Sequence, residues 1–182
     1  MDAVRAATWL RAAMAAALLA FAPAVAAQVS EAAVKAAFVF KFLGYVEWSP
    51  GAFAQPDSPM VIGTMGAEEV TQELERIVQG RVVNGRRVVV RKLAEGDKFA
   101  GVHMLFIGRG EPATRGIVRQ ARDQGVLTVT ETERGLEMGS AINLVVADEK
   151  VGFEVSLEAA EKSGFRISSR MLGVARRVVP RS

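Results

Sequence analysis

The sequence predicts a single α/β domain whose mixed β-sheet is flanked by helices on both faces. The first observation behind this is that short apolar runs typical of buried strands alternate with helical patterns along the chain. The second is that two pairs of apolar runs are separated only by turn residues, Asn84-Gly85 in one case and Asp148-Glu149-Lys150 in the other. Such spacing indicates hairpins, so we expect antiparallel pairs within a sheet that helical crossovers make partly parallel.

Residues 1–27 predict a secretory signal peptide. Two arginines precede an uncharged apolar run at 14–21, and small residues after it offer a cleavage site following Ala26 or Ala27. The run is too short to span a membrane, and no later segment approaches the roughly 20 apolar residues that a spanning helix needs. We therefore expect export, removal of the signal peptide and a mature domain at 28–182 without a membrane span.

The first helix of this domain is predicted from Ser30 to Trp48. Ser30 suits an N-cap, Glu31 suits the first turn, and Pro50 is expected to end the helix. Apolar side chains lie nearly all round its circumference. Such a helix must be buried on several sides or dock to a partner.

The rest of the chain is a succession of strand and helix patterns. Pro112 suits the first turn of a helix, and Ser156 suits an N-cap whose helix stops at Gly164. The predicted elements are a strand at 60–64, a helix at about 67–79, a hairpin over 82–90, a strand at 103–107, a helix at 111–124, a strand at 126–130, a hairpin of 141–146 with 151–155, a short helix from 156 to 164, and a last helical turn or two at 168–176.

The composition argues against several kinds of site. The sequence has no Cys and a single His, so it offers no zinc-ligand set, disulfide or thiol sensor. His103 is predicted to be a strand residue whose ring is satisfied by backbone groups. Without a nucleophile–base pair we expect neither enzymatic activity nor a metal or cofactor. The net charge of +3 at pH 7 argues against nucleic acid as a partner.

The segment 108–113 (GRGEPA) fits the spacing of a dinucleotide-binding loop and follows a predicted strand. However, Glu111 and Pro112 place a negative charge and a missing N–H group where a pyrophosphate would bind. We therefore interpret the segment as a tight strand-to-helix turn.

One ordered set of segments carries a family resemblance. The run 35–42 (KAAFVFKF), continuing to 45–48 (YVEW), resembles the opening signature of YfiR-like proteins. The segments that resemble later parts of the family pattern are 60–63 (MVIG), 83–90 (VNGRRVVV), 103–107 (HMLFI), 127–129 (LTV), 142–144 (INL), 151–155 (VGFEV) and 167–172 (ISSRML). The chain departs from the family at Lys41, where the pattern has Asn, and in lacking the cysteine pairs of some members.

The resemblance implies a periplasmic negative regulator. Such proteins bind and inhibit the periplasmic part of an inner-membrane diguanylate cyclase, which limits cyclic di-GMP signalling and biofilm formation. The alternative is a periplasmic small-ligand-binding module that reports to a sensor kinase or an outer-membrane receptor. A hydrophobic pocket against the first helix would favour the module, whereas a flat apolar patch would favour the inhibitor. An exposed apolar helix face would also leave a homodimer open.

The candidate site residues come from the segments that carry the resemblance. The candidates for partner binding are Phe40, Lys41, Tyr45 and Trp48. The polar members of the later segments are Asn143, Glu154, Ser168, Ser169 and Arg170. For this second set the alternative is a structural role, with hairpin hydrogen bonds from Asn143, an N-cap at Ser168 and an ion pair between Arg170 and Glu154.

Overall fold

The structure, a computed structural model, describes residues 30–181. The predicted signal peptide and its cleavage site lie outside this range. The α-helices within it are α1 (Glu31–Phe42), α2 (Glu68–Val78), α3 (Thr114–Asp123), α4 (Leu157–Lys162) and α5 (Ser169–Leu172). The strands are β1 (Val46–Glu47), β2 (Met60–Met65), β3 (Val82–Val83), β4 (Arg86–Lys92), β5 (Met104–Ile107), β6 (Leu127–Thr130), β7 (Ile142–Ala147), β8 (Lys150–Ser156), β9 (Arg166–Ile167) and β10 (Arg177–Val179).

Eight of the strands form one mixed sheet in the order β10-β8-β7-β6-β5-β2-β4-β3. The five central strands from β7 to β4 are parallel to one another. The two predicted hairpins add β3 antiparallel to β4 and β8 antiparallel to β7, and β10 lies parallel to β8. Separately, β1 and β9 form a two-stranded antiparallel ribbon. The predicted α/β fold class with a mixed sheet is therefore confirmed.

Helices cover both faces of the sheet, as alternation along β5 shows. Met104 and Phe106 belong to the apolar core that contains α1 and α2. Leu105 and Ile107, which alternate with them, belong to a second core that contains α3. Because successive side chains of a strand point to opposite faces, α1 and α2 lie on one face and α3 on the other.

Both hairpin turns have two residues in the left-handed region. Asn84 and Gly85 have φ values of 51° and 79°, and Asp148 and Glu149 have φ values of 51° and 59°. Positive φ at both central residues defines the type I′ turn, whose twist matches that of the flanking strands. The Asn-Gly signal therefore predicted its hairpin correctly, whereas the second turn adopts the same backbone without a glycine.

The predicted end of the first helix is wrong. The start is as predicted, because the Ser30 Oγ accepts the N–H of Ala33 at 3.1 Å. At the other end, Gly44 and Tyr45 donate backbone hydrogen bonds three residues back, which tightens and closes the last turn. The chain then extends as β1 to pair with β9. Since β9 is distant in sequence, no local pattern near Trp48 could show this pairing.

Two further boundaries differ from prediction. Helix α3 begins at Thr114 and not at 111, because the Thr114 hydroxyl donates to the Glu111 carbonyl at 2.6 Å and Glu111 accepts the Ala113 N–H at 3.0 Å. Near the C-terminus the helix ends at Leu172, and the chain forms β10, which the sequence did not predict. The 108–113 segment is the tight strand-to-helix turn that was expected.

Candidate functional site

The β1–β9 ribbon joins two segments that the sequence singled out separately. The backbone N–H of Ser168 donates to the carbonyl of Tyr45 at 2.9 Å. Ser168 also caps α5, because its Oγ accepts the Arg170 N–H at 3.3 Å, so the predicted N-cap role is confirmed. The end of α1 and the start of α5 are thus neighbours.

Several exposed residues lie in or beside these two segments. Tyr45 is 40% exposed and Val174, which follows α5, is 72% exposed. Lys41, Ser169 and Arg170 are exposed as well. We call these five residues the Tyr45 surface.

Arg170 does not form the expected ion pair with Glu154. Glu154 instead receives a bidentate hydrogen bond from Arg177 on β10, with Nε and Nη2 both at 2.9 Å from its carboxylate oxygens. This arginine lies on the neighbouring edge strand, β10. The parallel register of β10 with β8 places Arg177 opposite Glu154. Within residues 30–181, Arg170 and Lys41 have no salt bridge, so both cations are available to a partner.

Phe40 and Trp48, the other two partner-binding candidates, are half-buried and pack against the core. The Trp48 Nε1 donates to the Leu43 carbonyl at 3.0 Å. Its ring meets Phe165 edge-on, with the ring centroids 5.2 Å apart. Trp48 therefore holds the turn after α1 in place, and Lys41 and Tyr45 are the better placed of the four for contact with another molecule.

A cleft of about 730 Å³ lies beside Trp48, between β1, the loop after it and the β3–β4 hairpin. We call it the Trp48 cleft. Its wall is built around Phe53, which stacks on His103 with centroids 4.5 Å apart and carries the Arg86 guanidinium 3.8 Å from its ring centroid. Arg86 also donates to the Gln55 and Ser58 carbonyls at 3.1 and 2.8 Å. The cleft wall is therefore held by stacking and by charge-assisted hydrogen bonds.

The ring of His103 is satisfied by backbone groups, as predicted. Its Nδ1 accepts the Val61 N–H at 3.1 Å, so the neutral ring carries its proton on Nε2, which donates to the Ala52 carbonyl at 3.0 Å. Burial lowers the pKa of His103 below its usual value; the Ala52 hydrogen bond opposes this shift, and the positive charge of Arg86 adds to it. His103 thus ties the loop that carries Phe53 to the central sheet.

Asn143 has a structural environment. It is 1% exposed and lies directly opposite Glu154 in the β7–β8 hairpin. Its Oδ1 accepts the Thr130 hydroxyl at 2.8 Å and the Thr132 N–H at 3.2 Å. Asn143 therefore holds the segment that follows β6 against β7. It is too deeply buried to belong to an exposed surface.

Sequence reasoning missed a buried ion pair. Lys35 on α1 is 6% exposed and pairs with Glu131, which is 8% exposed and directly follows β6. Glu31 is a second partner of Lys35 on the same helix. Burial of the Lys35 ammonium disfavours its charge, but the hydrogen bonds to Glu131 and Glu31 outweigh this and raise its pKa. A lysine in the first half of a helix with few charged residues was the available signal.

Neither a metal-binding cluster nor a membrane-spanning helix is found among residues 30–181. No group of three or more His, Cys, Asp and Glu side chains among residues 30–181 is placed to hold a metal ion. In the same range, none of the helices combines the length and hydrophobicity that crossing a bilayer requires.

Comparison with known families decides the assignment. The model of the YfiR/HmsC-like family matches residues 32–176. The chain belongs to the YfiR/HmsC-like family. The resemblance predicted from the ordered segments is thus confirmed.

Two solved structures resemble this YfiR/HmsC-like chain, and only the first bears on its fold. A conserved domain protein from Vibrio cholerae O1 biovar eltor superposes with a TM-score of 0.58 at 11% sequence identity, over 82% of this chain and 60% of that one. The ABC domain in complex with L-Trp from Streptococcus pneumonia gives a TM-score of 0.47 at 11% identity, over 66% and 55% of the two chains. The chain thus spans less than two thirds of each of these structures. No curated protein matches it.

Proposed function

We propose that this protein is a periplasmic negative regulator that binds the periplasmic part of an inner-membrane diguanylate cyclase and holds it inactive, which limits cyclic di-GMP and biofilm formation. The observation that carries the proposal is the Tyr45 surface, on a chain whose family regulates diguanylate cyclase signalling. The β1–β9 ribbon brings two segments of the family pattern, 45–48 and 167–172, next to each other.

The chemistry of the Tyr45 surface suits contact with another protein. Tyrosine and arginine are among the residues that most often dominate binding energy at interfaces, and Tyr45 and Arg170 offer one of each. Val174 adds an exposed apolar side chain, and Lys41 adds a second unpaired cation. We therefore expect the complementary patch on the cyclase to be acidic with an apolar centre, and association to slow at high salt.

Inhibition of this kind is a shift in population. The regulator stabilises the inactive cyclase only by the difference between its affinities for the inactive and active states. Moving the cyclase from almost fully active to almost fully inactive requires about a 10⁴-fold preference for the inactive state. An envelope signal that weakens binding at the Tyr45 surface would release the cyclase by the same linkage.

The test is site-specific photo-crosslinking in the native host. A benzophenone amino acid replaces Tyr45 in the full chain, or Arg119, an exposed residue of α3 on the opposite face of the sheet. We expect a transmembrane diguanylate cyclase to be trapped from position 45 and not from position 119. Equal trapping from both positions, or none from position 45, would reject the proposed surface.

Cyclic di-GMP gives a functional readout of the same surface. Arg170→Glu reverses an unpaired charge at the Tyr45 surface, and Arg119→Glu is the matched control on the other face. We expect Arg170→Glu to raise cellular cyclic di-GMP to the level of a strain that lacks the protein, and Arg119→Glu to leave it at the wild-type level. If removal of the protein does not raise cyclic di-GMP, the inhibitor role fails.

Export of the protein is part of the proposal. We propose that residues 1–27 are cleaved near Ala26 or Ala27, which leaves residues 28–182 in the periplasm. Intact-mass measurement of protein from the periplasmic fraction tests this directly. A mass that still includes the first residues, or recovery in the cytoplasm alone, would contradict the proposed route.

The Trp48 cleft supports a second candidate function, that of a periplasmic small-ligand-binding module reporting to a sensor kinase or an outer-membrane receptor. Its volume of about 730 Å³ lies in the range of ligand pockets, and aromatic side chains line it. Native mass spectrometry of protein purified from its host separates the two readings. A stoichiometric small molecule would favour the module, and an apo mass together with a trapped cyclase would favour the inhibitor.

A further inference from the structure

One wall of the Trp48 cleft is the unpaired edge of a strand. In an antiparallel pair, residues alternate between those that bond across the pair and those whose N–H and C=O groups point outward. Val46 lies opposite Ile167, and the hydrogen bond between Ser168 and Tyr45 marks the adjacent pair as the bonded one. The main-chain N–H and C=O of Val46 therefore point away from β9.

The lining of the cleft shows that this edge faces it. Val46, Glu47 and Trp48 all line the cleft, although successive side chains of a strand point to opposite faces. Consecutive lining residues are expected only where the cleft runs along the main chain. Because β9 occupies the other edge of β1, the cleft lies against the free edge, and the side chain of Val46 is itself buried.

The opposite wall supplies Arg86, the one cation among the residues that line the cleft, whereas Glu47 on β1 is the one anion. The hairpin segment 81–92 contains four arginines and one lysine and no acidic residue. Arg86 in this segment lines the cleft and uses its Nη1 for the Gln55 and Ser58 carbonyls. Trp48, Phe53 and Met60 also line the cleft and give it apolar surface.

We propose that the Trp48 cleft binds an extended segment of a partner protein that carries an apolar and an acidic side chain, and that this segment adds a third strand to the β1–β9 ribbon. The main chain of the segment pairs with Val46, an apolar side chain lies against Trp48 and Phe53, and a carboxylate faces Arg86. Main-chain pairing supplies affinity and the side-chain positions supply specificity. The identification of the partner as the cyclase rests on the proposed function; the mode of binding does not.

The position of the free edge favours an extended segment over a second copy of the chain. A segment paired with Val46 would lie between β1 and the β3–β4 hairpin, since both line the cleft. A second copy of the protein would have to bring its own β1 edge there, and that edge is recessed in an identical cleft. Unpaired strand edges are templates for an added strand, and here the flanking walls limit what can reach the edge.

The test uses short random peptides displayed on phage and selected on the full folded chain, followed by nuclear magnetic resonance with the enriched peptides. We expect enriched peptides to carry an acidic and an apolar residue and to slow hydrogen exchange at the Val46 amide. N-methylation of the peptide residue that pairs with Val46 should weaken binding about tenfold, since one hydrogen bond is lost.

Two matched variants test whether the peptide binds in the Trp48 cleft. Ala54→Trp fills the cleft from an exposed loop position that lines it, and Ala94→Trp places the same side chain in an exposed loop elsewhere. We expect Ala54→Trp to abolish peptide binding with an unchanged melting temperature, and Ala94→Trp to retain it.

Several results would overturn the inference. They are the absence of enrichment, equal binding of the N-methylated peptide, binding that survives Ala54→Trp, and protection of Val46 by a second copy of the chain without peptide. A cyclase trapped from position 45 with no peptide in the cleft would leave the proposed function standing and reject the strand addition alone. Peptide bound in the cleft, with no cyclase trapped from position 45, would support the strand addition and reject the proposed function.

Discussion

The ammonium group of Lys35 on α1 is paired inside the protein with the carboxylate of Glu131, which directly follows β6. The same carboxylate accepts the backbone N–H of Arg109, which follows β5, at 3.1 Å. The pair therefore joins the first half of α1 to the carboxyl ends of two neighbouring central strands. Since α1 leads directly into the Tyr45 surface, the pair also fixes how that surface is presented.

Replacing Lys35 by Met should destabilise the protein by about 3 kcal/mol, because Glu131 is left as a buried carboxylate without its cation. The measurement is the free energy of unfolding in urea at neutral pH. Lys41→Met, on the exposed side of the same helix, is the control and should change stability by less than about 0.5 kcal/mol.

The double variant Lys35→Met with Glu131→Leu separates loss of the pair from burial of a lone charge. Removing both charges should recover most of the stability that Lys35→Met loses. A double variant as unstable as the sum of the single variants would contradict this. The raised pKa of Lys35 sets the pH range, because its contribution is present below the pKa of an unfolded lysine and is lost as pH rises through the raised value.

Acidification should weaken the wall of the Trp48 cleft through His103. Its pKa is lowered by burial, so the unfolded chain takes up the proton more readily than the folded one. Stability from the neutral ring is fully present above the ordinary value of 6.5 and is lost as pH falls through the lowered value. Protonation of Nδ1 would also break the hydrogen bond from Val61.

Thermal unfolding between pH 7.5 and 5 tests this expectation, with His103→Gln as the matched variant, because an amide can donate and accept but does not titrate over this range. We expect the melting temperature of the wild type to fall more steeply with pH than that of the variant. Parallel curves would show that other groups control the acid response.

Features that depend on neighbouring residues, such as a helix start or a hairpin turn, were predictable from the sequence. Contacts between distant segments were not. Ser30 and the Asn84-Gly85 turn act within a few residues, so their patterns predicted a helix start and a hairpin correctly. The end of α1 depends on β9, which is far along the chain. Tyr45 and Ser168 were both singled out from the sequence, but their adjacency follows from ribbon pairing, which has no local signature.

Two glycines should respond to alanine in opposite directions. A Cβ on Gly108 would lie 2.2 Å from the Gly66 carbonyl oxygen, so the backbone of the turn must move. Gly116 lies in α3 with nothing within 4 Å of such an atom. We expect Gly108→Ala to destabilise by about 2–3 kcal/mol and Gly116→Ala to stabilise by about 0.5–1 kcal/mol. Urea unfolding measures both, and equal effects would refute the close approach at Gly108.

Stability and partner binding should separate at Trp48 and Tyr45. Trp48→Ala removes a half-buried ring, its hydrogen bond to Leu43 and its edge contact with Phe165, so we expect a loss of about 2–3 kcal/mol in the free energy of unfolding. Tyr45→Ala truncates an exposed side chain and retains the backbone hydrogen bond with Ser168. The free energy of unfolding should therefore change by less than about 0.5 kcal/mol.

For cyclase binding we expect the opposite order, with the larger loss for Tyr45→Ala than for Trp48→Ala. The comparison is made at low temperature, where both variants are folded. Tyr45→Ala should weaken capture of the cyclase at least tenfold, because an exposed aromatic side chain on an interface is lost. The double variant of Tyr45 and Arg170 to alanine should weaken it further. If Tyr45→Ala binds as the wild type does while Trp48→Ala fails in its folded state, the contact lies in the Trp48 cleft and not on the Tyr45 surface.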